Sequence, residues 1–154
     1  MSSLFALNPE ELVTKLKLEK KFQGKQIYAH LVKGDTDFAL MSDLSKALRE
    51  RLIEEFHSPL SSQVIDKSES DSATKLAIRL EDHKVIECVL LTDKEGRKTA
   101  CLSSQVGCAM GCKFCKTGTM GLIRNLEAYE IVEQFIHLLK LAPELTHIVF
   151  MGMG

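Results

Sequence analysis

All five cysteines of this chain lie between positions 88 and 115, and the first 87 residues contain none. Three of them form Cys108-Ala-Met-Gly-Cys112-Lys-Phe-Cys115, whose spacing is C-x3-C-x2-C. Three thiolates this close in sequence converge on one inorganic centre only if the backbone forms a tight loop, which Gly107 and Gly111 permit. Because the number is odd and no secretion signal precedes them, the cysteines indicate metal ligation or catalysis in a reducing compartment.

The composition is that of a soluble globular protein. Of the 154 residues, 45% are hydrophobic and 27% are charged, which excludes collagen-like and wholly disordered chains. No apolar run approaches the ~20 residues that span a bilayer, and the N-terminus lacks the basic start and apolar stretch of a signal peptide. We therefore expect a cytoplasmic protein with no membrane contact. The formal charge of −1 requires any nucleic-acid surface to be local.

Residues 1–58 predict a small helical unit. Asn8-Pro9-Glu10-Glu11 has the pattern of a helix start, with an asparagine cap, proline at the first position and a capping box. Gly24 is expected to interrupt the pattern before a second helix. Ser42 or Asp43 is expected to cap a third helix, in which leucines recur every four residues.

The rest of the chain predicts an α/β arrangement. The stretch 58–73 is rich in Ser, Asp and Lys and predicts a linker or exposed loop, followed by antiparallel strands over 75–80, 85–91 and 98–103. A glycine-rich loop, a helix over 127–141 and a buried strand over 147–151 then complete a βαβ unit. Two parallel strands cannot cover themselves, so we expect the sequence to be the front part of a larger fold.

The three-cysteine motif has a specific chemical implication. Four cysteines close an iron–sulfur cluster, whereas three leave one iron of a four-iron cluster free to bind a substrate or cofactor. An open iron suits the reductive cleavage of S-adenosylmethionine, since it can bind the amino and carboxylate groups and deliver an electron to the sulfonium. A zinc site would need a fourth ligand, and Cys101 or His137 would supply it at a spacing that fits no common finger. Chance burial of three cysteines is the remaining alternative.

The stretch from Cys101 to Gln134 resembles the radical-SAM adenine-C2 methyltransferases of the RlmN type and their relative Cfr, which modify 23S ribosomal RNA and transfer RNA. It begins with Cys101-Leu-Ser-Ser-Gln-Val-Gly-Cys108, continues through the three-cysteine motif, and ends in Arg124-Asn-Leu-Glu127-Ala-Tyr-Glu-Ile-Val-Glu-Gln134. Val149-Phe-Met-Gly152-Met-Gly154 is similar to the strand-end motif of that family, which continues there into Glu-Pro. The segments Lys25-Gln-Ile-Tyr28, Met41-Ser-Asp-Leu-Ser45 and Val85-Ile-Glu87-Cys-Val-Leu90 are also similar.

The resemblance implies an architecture and a division into segments. Residues 1–58 would be a helical accessory domain, residues 59–93 a linker with antiparallel strands, and residues 94–154 the N-terminal portion of a radical-SAM core. That core would be a partial (β/α) barrel, here truncated after its second core strand.

The resemblance also implies roles for individual residues. Cys108, Cys112 and Cys115 would hold a [4Fe–4S] cluster. In the family, the methyl group passes through a methyl-cysteine near the C-terminus to an RNA crosslink, and a second cysteine resolves the crosslink by a transient disulfide. Cys101 stands at the position of that second cysteine, and Glu87 matches the proposed proton acceptor. Cys88 matches no role in the family and is expected to be structural.

Binding of S-adenosylmethionine is expected at the strand-end motif and in the cysteine loop. Gly152, Met153 and Gly154 would contact the methionine part of the cofactor, and Phe114 would pack against its adenine or else in the core. The implied partners are 23S ribosomal RNA, transfer RNA and an external electron donor such as flavodoxin, with the enzyme acting as a monomer. Between positions 94 and 124, six lysines and arginines oppose one glutamate, a charge pattern that fits a phosphate-facing patch or an ordinary solvated face.

Two other functions remain compatible with the sequence. One is carbon-8 methylation by a Cfr-type enzyme, which the cysteine motif does not separate from carbon-2 methylation. The other is a non-catalytic iron–sulfur or zinc module that binds RNA.

We expect the isolated polypeptide to be unable to complete a turnover, because the methyl-carrying cysteine of the family and the rest of its barrel lie beyond the sequence motifs present here. An assay of adenine methylation with the isolated chain checks this expectation. Robust formation of methylated product would contradict it.

Overall fold

The computed structural model describes residues 3–154, which divide into two compact units with the boundary between Ser61 and Ser62. Each unit has its own hydrophobic core. No helix within residues 3–154 is long and apolar enough to cross a membrane.

The first unit is helical, as the sequence predicts. It contains α1 (Pro9–Lys15), α2 (Lys21–Val32) and α3 (Lys46–Phe56), with 3-10 turns at Leu4–Ala6 and Phe38–Leu40. The predicted capping box of α1 is confirmed: Asn8 Oδ1 accepts hydrogen bonds from the backbone N–H groups of Glu10 and Glu11, and Glu11 accepts one from the Asn8 N–H. The largest fully buried side chains of this core are Leu4, Leu12, Leu16, Ile27, Phe38, Met41 and Leu52.

Gly24 does not interrupt the helical pattern, contrary to the expectation. It lies inside α2 and is buried. A Cβ at this position would come 2.3 Å from the Pro9 carbonyl oxygen and 2.7 Å from Val13 Cγ2, both in α1. The glycine therefore allows α1 and α2 to approach each other closely, a tertiary reason that local helix propensity does not report.

The cap of α3 is Ser45, and the prediction of Ser42 or Asp43 is wrong. Ser45 Oγ accepts a hydrogen bond from the Leu48 N–H. The Asp43 carboxylate is instead 2.7 Å from His30 Nε2, while Asp35 lies 2.7 Å from His30 Nδ1. Asp43 is therefore engaged by α2.

The second unit is built on a five-stranded sheet with the order β1-β2-β3-β4-β7, in which the last strand, β7, is His147–Val149. Strands β1 (Gln63–Glu69), β2 (Ala73–Arg79), β3 (Val85–Thr92) and β4 (Lys98–Cys101) are antiparallel to their neighbours. The prediction of a linker or exposed loop is therefore wrong for the residues that form β1. This strand lies at the edge of the sheet and only its Val64 packs against the core, so it lacks the apolar alternation that marks a strand in sequence.

The predicted βαβ unit is confirmed. Strand β4 pairs in parallel with β7 (His147–Val149), and α4 (Ala128–Leu139) lies between them in sequence. The glycine-rich connection also contains a two-stranded ribbon that the sequence did not predict, formed by β5 (Gln105–Gly107) and β6 (Leu122–Asn125). The prediction that the last strand is buried is wrong, because β7 pairs on one side only and Ile148 is half exposed.

The two faces of the sheet differ in their side chains. One face packs against α4 through Ile86, Cys88 and Leu90 of β3 together with Phe135 and Leu138 of the helix. Side chains alternate along a strand, and opposite residues of an antiparallel pair share a face. Glu87 and Val89 of β3, with Lys75 of β2 and Cys101 of β4, therefore lie on the face away from α4, here called the distal face.

Replacing Gly24 by alanine tests the close approach of α1 and α2. Alanine gains about 1 kcal/mol in helix propensity, but overpacking against a backbone oxygen costs about 1–3 kcal/mol, so G24A is expected to be less stable than the wild type. Denaturant unfolding followed by far-UV circular dichroism measures the difference. The exposed Lys25→Ala on the same helix is the control and should stay within about 0.5 kcal/mol. An unchanged or raised stability of G24A would show that the helices do not meet here.

Candidate functional site

The three motif cysteines lie in one loop, residues 108–121, which connects the strands of the β5–β6 ribbon. The loop is closed at its neck, where the Cys108 N–H donates to the Gly121 carbonyl at 3.1 Å. A Cβ on Gly107 would come 1.9 Å from the same carbonyl oxygen, and the φ of Gly107 is +78°. The neck therefore requires glycine at this position, both for space and for backbone conformation.

Inside the loop, backbone N–H groups point toward two of the sulfur atoms. The Met110 N–H donates to Cys108 Sγ at 3.4 Å. The N–H of Gly118, and to a smaller extent that of Thr117, lowers the pKa of the Cys115 thiol, since both favour its thiolate form. A 3-10 turn over Thr117–Met120 presents these donors.

The three thiols are half-exposed and free, but the structure does not bring them together. Among residues 3–154, no three His, Cys, Asp or Glu side chains form a group that could hold a metal ion. A Cβ on Gly118 would lie 2.9 Å from the backbone N and O of Cys112, so Gly118 packs directly on the middle cysteine. The predicted ligands thus share one closed loop without sharing one centre.

Arg124 of β6 fixes the ribbon to the rest of the unit. Its guanidinium donates to both carboxylate oxygens of Glu130 in α4, at 2.7 and 2.8 Å, and to Asp82 in the β2–β3 turn at 2.9 Å. Glu130 is buried and also accepts from the N–H of Glu127, so it caps α4 at the same time. The guanidinium lowers the pKa of Asp82. Sequence reasoning missed this contact because the partners lie 6 and 42 positions away.

Glu87 and Cys101, the predicted catalytic residues, are both on the distal face. Val89 stands directly opposite Cys101, so Glu87 is its diagonal neighbour, a position about 7–8 Å away in antiparallel pairs. The Glu87 carboxylate forms an ion pair with Lys75 Nζ at 2.9 Å and is half-exposed, whereas Cys101 is buried. The pairing partner Lys75 was not predicted.

The strand-end motif runs beside the residues that follow β4, in the same direction. The Gly152 N–H donates to the Leu102 carbonyl at 3.1 Å, and the Met153 carbonyl accepts from Ser104 and Gln105. The Met153 side chain is buried in the core, and both its N–H and its carbonyl are already hydrogen-bonded within the chain. Gly152 and Gly154 are exposed.

Other candidates have contrasting surroundings. Phe114 is 94% exposed, so the alternative that it packs in the core is wrong. Cys88 is fully buried, and burial raises the pKa of its thiol to about 12. His137 is buried in α4 beside Ser62 Oγ at 3.1 Å, and burial lowers the pKa of its imidazole to about 4. Neither Cys88 nor His137 has the surroundings of a metal ligand.

The positive charge in the cysteine region is smaller than the sequence suggests. Arg97 pairs with Asp93 and Glu95, and Arg124 with Asp82 and Glu130. Three of these four acids lie outside positions 94–124. A charge count restricted to those positions therefore overstates the excess of positive charge.

Arg124→Met is expected to destabilise the second unit by about 2–4 kcal/mol, because it leaves the buried Glu130 carboxylate without its cation. Urea unfolding measures the loss. Arg97→Met is the matched control: Arg97 also contacts two acids, but it is 66% exposed, so its loss should be at most about 1 kcal/mol. Equal losses in the two variants would contradict the role of Arg124 as the partner of a buried carboxylate.

Comparisons with known proteins agree with the family resemblance of the sequence and with the fold. Residues 4–57 match the family model described as "Ribosomal RNA large subunit methyltransferase N-terminal domain". The chain is 45% identical over 152 residues to the "Probable dual-specificity RNA methyltransferase RlmN" of Treponema pallidum, covering 99% of this chain and 45% of that protein. The "Dual-specificity RNA methyltransferase RlmN" of Anaeromyxobacter dehalogenans is 43% identical over 147 residues, covering 88% of this chain and 39% of the relative.

A solved structure is also similar. A radical SAM methyltransferase from Sphaerobacter thermophilus superposes with a TM-score of 0.81 at 36% sequence identity, covering 100% of this chain and 47% of that one. The chain therefore spans less than half the length of the relatives it matches. The mixed α/β fold agrees with this neighbour. On the family model, the identities and the structural likeness together, this chain is similar over nearly its whole length to RlmN-type RNA methyltransferases.

Proposed function

We propose that this chain serves in an RNA methyltransferase that uses a [4Fe–4S] cluster and S-adenosylmethionine to methylate carbon 2 of an adenosine in 23S ribosomal RNA and transfer RNA. The observation that carries the proposal is the neck-closed loop with three half-exposed thiols. The names of the relatives and of the similar solved structure support RNA as the substrate and a radical reaction.

The donor set of the loop fits an iron–sulfur cluster. The three potential ligands are cysteine sulfurs, the donor type that selects such clusters over hard cations. Backbone N–H groups donate to Cys108 Sγ and lower the pKa of Cys115. Cys108, Cys112 and Cys115 would hold the cluster. When bound, it would supply an iron without a protein ligand and the electron that cleaves the sulfonium of S-adenosylmethionine. Phe114 and the exposed Gly152 and Gly154 are available to bind that cofactor.

Glu87 and Cys101 would act on the adenine from the distal face. The Glu87 carboxylate is a candidate base for the proton that leaves carbon 2, and Lys75 holds it by an ion pair. Cys101 would resolve the crosslink between RNA and the methyl-carrying cysteine. Its thiolate would attack the cysteine sulfur, forming an S–S bond as the S–C bond breaks, and the electron pair with a proton would stay on the new methyl carbon.

The same proposal gives an architecture. Strands β4 and β7 would be the first two parallel strands of a partial (β/α) barrel, and residues 1–58 an accessory domain. A reduced protein of the flavodoxin class would deliver the electron.

Anaerobic reconstitution with iron and sulfide tests the cluster. The wild-type chain is expected to bind about four irons and to show a cluster absorption that changes on adding S-adenosylmethionine. Cys115→Ala should lose this response. Cys88→Ala removes a core cysteine instead and should retain it, although it should be less stable.

Other outcomes would favour the other functions. Colourless binding of one zinc ion would support a non-catalytic RNA-binding module and contradict the proposal. Retention of the response in Cys115→Ala would contradict the ligand set. Chromatographic retention of the methylated adenosine against 2-methyladenosine and 8-methyladenosine standards separates carbon 2 from the carbon-8 product of a Cfr-type enzyme, since the two isomers have the same mass.

A further inference from the structure

Strand β4 separates from β3 immediately after Cys101, and Ser103 bridges the gap. The register that places Val89 opposite Cys101 would place Glu87 opposite Ser103, but the ladder ends before that pair. The Ser103 N–H turns instead to Gln134 Oε1 at 2.8 Å, and Gln134 Nε2 donates to the Ser103 carbonyl at 3.0 Å. The Ser103 hydroxyl donates to the Glu87 carbonyl at 2.6 Å. A side-chain hydrogen bond thus replaces the missing backbone bond to β3.

The same hydroxyl also holds the strand-end motif. The Met153 N–H donates to Ser103 Oγ at 2.8 Å. A carbonyl can only accept and an amide N–H can only donate, so the hydroxyl proton points to Glu87 and the oxygen lone pair to Met153. Ser103 is fully buried, so water does not compete for either bond.

The contact between the motif and Ser103 is also tight. A Cβ on Gly152 would lie 2.6 Å from Ser103 Oγ and 2.8 Å from the Leu102 carbonyl oxygen. Gly152 can therefore pack this close to the Ser103 hydroxyl only because glycine has no side chain.

We propose that Ser103 is a positioning residue that fixes the Gly152–Gly154 turn relative to the part of β3 that carries Glu87. Ser103 reaches no reacting atom itself. It acts through the Met153 amide on one side and the Glu87 carbonyl on the other. The inference rests on the proposed function, which assigns cofactor binding to the turn and proton acceptance to Glu87. Ser103 would then fix the distance between a cofactor bound at the turn and the Glu87 carboxylate on the distal face.

A serine that only stabilises the fold would behave differently when it is removed. Ser62 provides the comparison, because it is another buried serine of the same unit, and its N–H and hydroxyl both donate to Glu133. Ser103→Ala and Ser62→Ala both remove a buried hydroxyl, so both should lower stability. Only Ser103→Ala should disturb the turn and Glu87.

Nuclear magnetic resonance of the whole chain tests the two contacts without any cofactor. In Ser103→Ala, hydrogen exchange of the Met153 amide should become at least about tenfold faster than in Ser62→Ala. The carbonyl carbon of Glu87 should change its chemical shift in Ser103→Ala alone. Ser103→Thr keeps the hydroxyl and should restore both signals. Equal exchange rates and an unchanged Glu87 signal in the two alanine variants would overturn the proposal.

Binding of S-adenosylmethionine to the anaerobically reconstituted chain tests the consequence for the cofactor. Ser103→Ala should raise the dissociation constant for S-adenosylmethionine about fivefold to thirtyfold at unchanged iron content, the effect of losing about one or two hydrogen bonds that order the turn. Ser62→Ala should leave this dissociation constant unchanged. Equal affinity in all variants would overturn the proposal while leaving the proposed function intact. If the wild type binds no cofactor, the proposed function fails, and the exchange measurement still decides whether Ser103 holds the turn.

Discussion

Helix α4 is held against the sheet by polar side chains that are buried and paired. The Glu130 carboxylate meets Arg124 of the ribbon, the Gln134 amide meets the backbone of Ser103, and Glu133 accepts from Ser62. A buried carboxylate without a partner costs several kcal/mol, so the helix cannot rotate or slide without a large loss. The helix is therefore fixed in register by specific contacts as well as by its apolar side chains.

These contacts come from segments far apart in sequence. Glu130 orients the ribbon that supports the cysteine loop, while Gln134 binds the residue at which β4 leaves the sheet. Ser103 carries the restraint onward to β3 and to the strand-end motif. The cysteine loop, the motif and the distal face are thus tied to one helix. Loss of a single partner in this group would loosen more than one of them.

The sequence predicted those features whose causes are local. The capping box at Asn8 involves neighbouring residues, and the βαβ order follows from successive hydrophobic patterns. Gly24 and β1 were misread because a contact with another helix and an edge position decide their structure. The cysteine loop was found by spacing, yet its closed neck depends on Gly107 meeting a carbonyl 14 residues later. The bridging hydroxyl of Ser103 has no signature in sequence, although a glutamine on the packed side of α4 signals a polar partner.

The alternation of side chains along β3 places a carboxylate and a core cysteine at consecutive positions on opposite sides of the sheet. The turn before this strand, with His83 at a positive φ of 64°, determines which residues of β3 face α4 and which lie on the distal face. Adding or deleting one residue in that turn would exchange Glu87 and Cys88, driving a charge beneath α4 and turning an apolar thiol outward. The length of this turn is accordingly far more constrained than its composition, and homologous chains should vary there by substitution rather than by insertion.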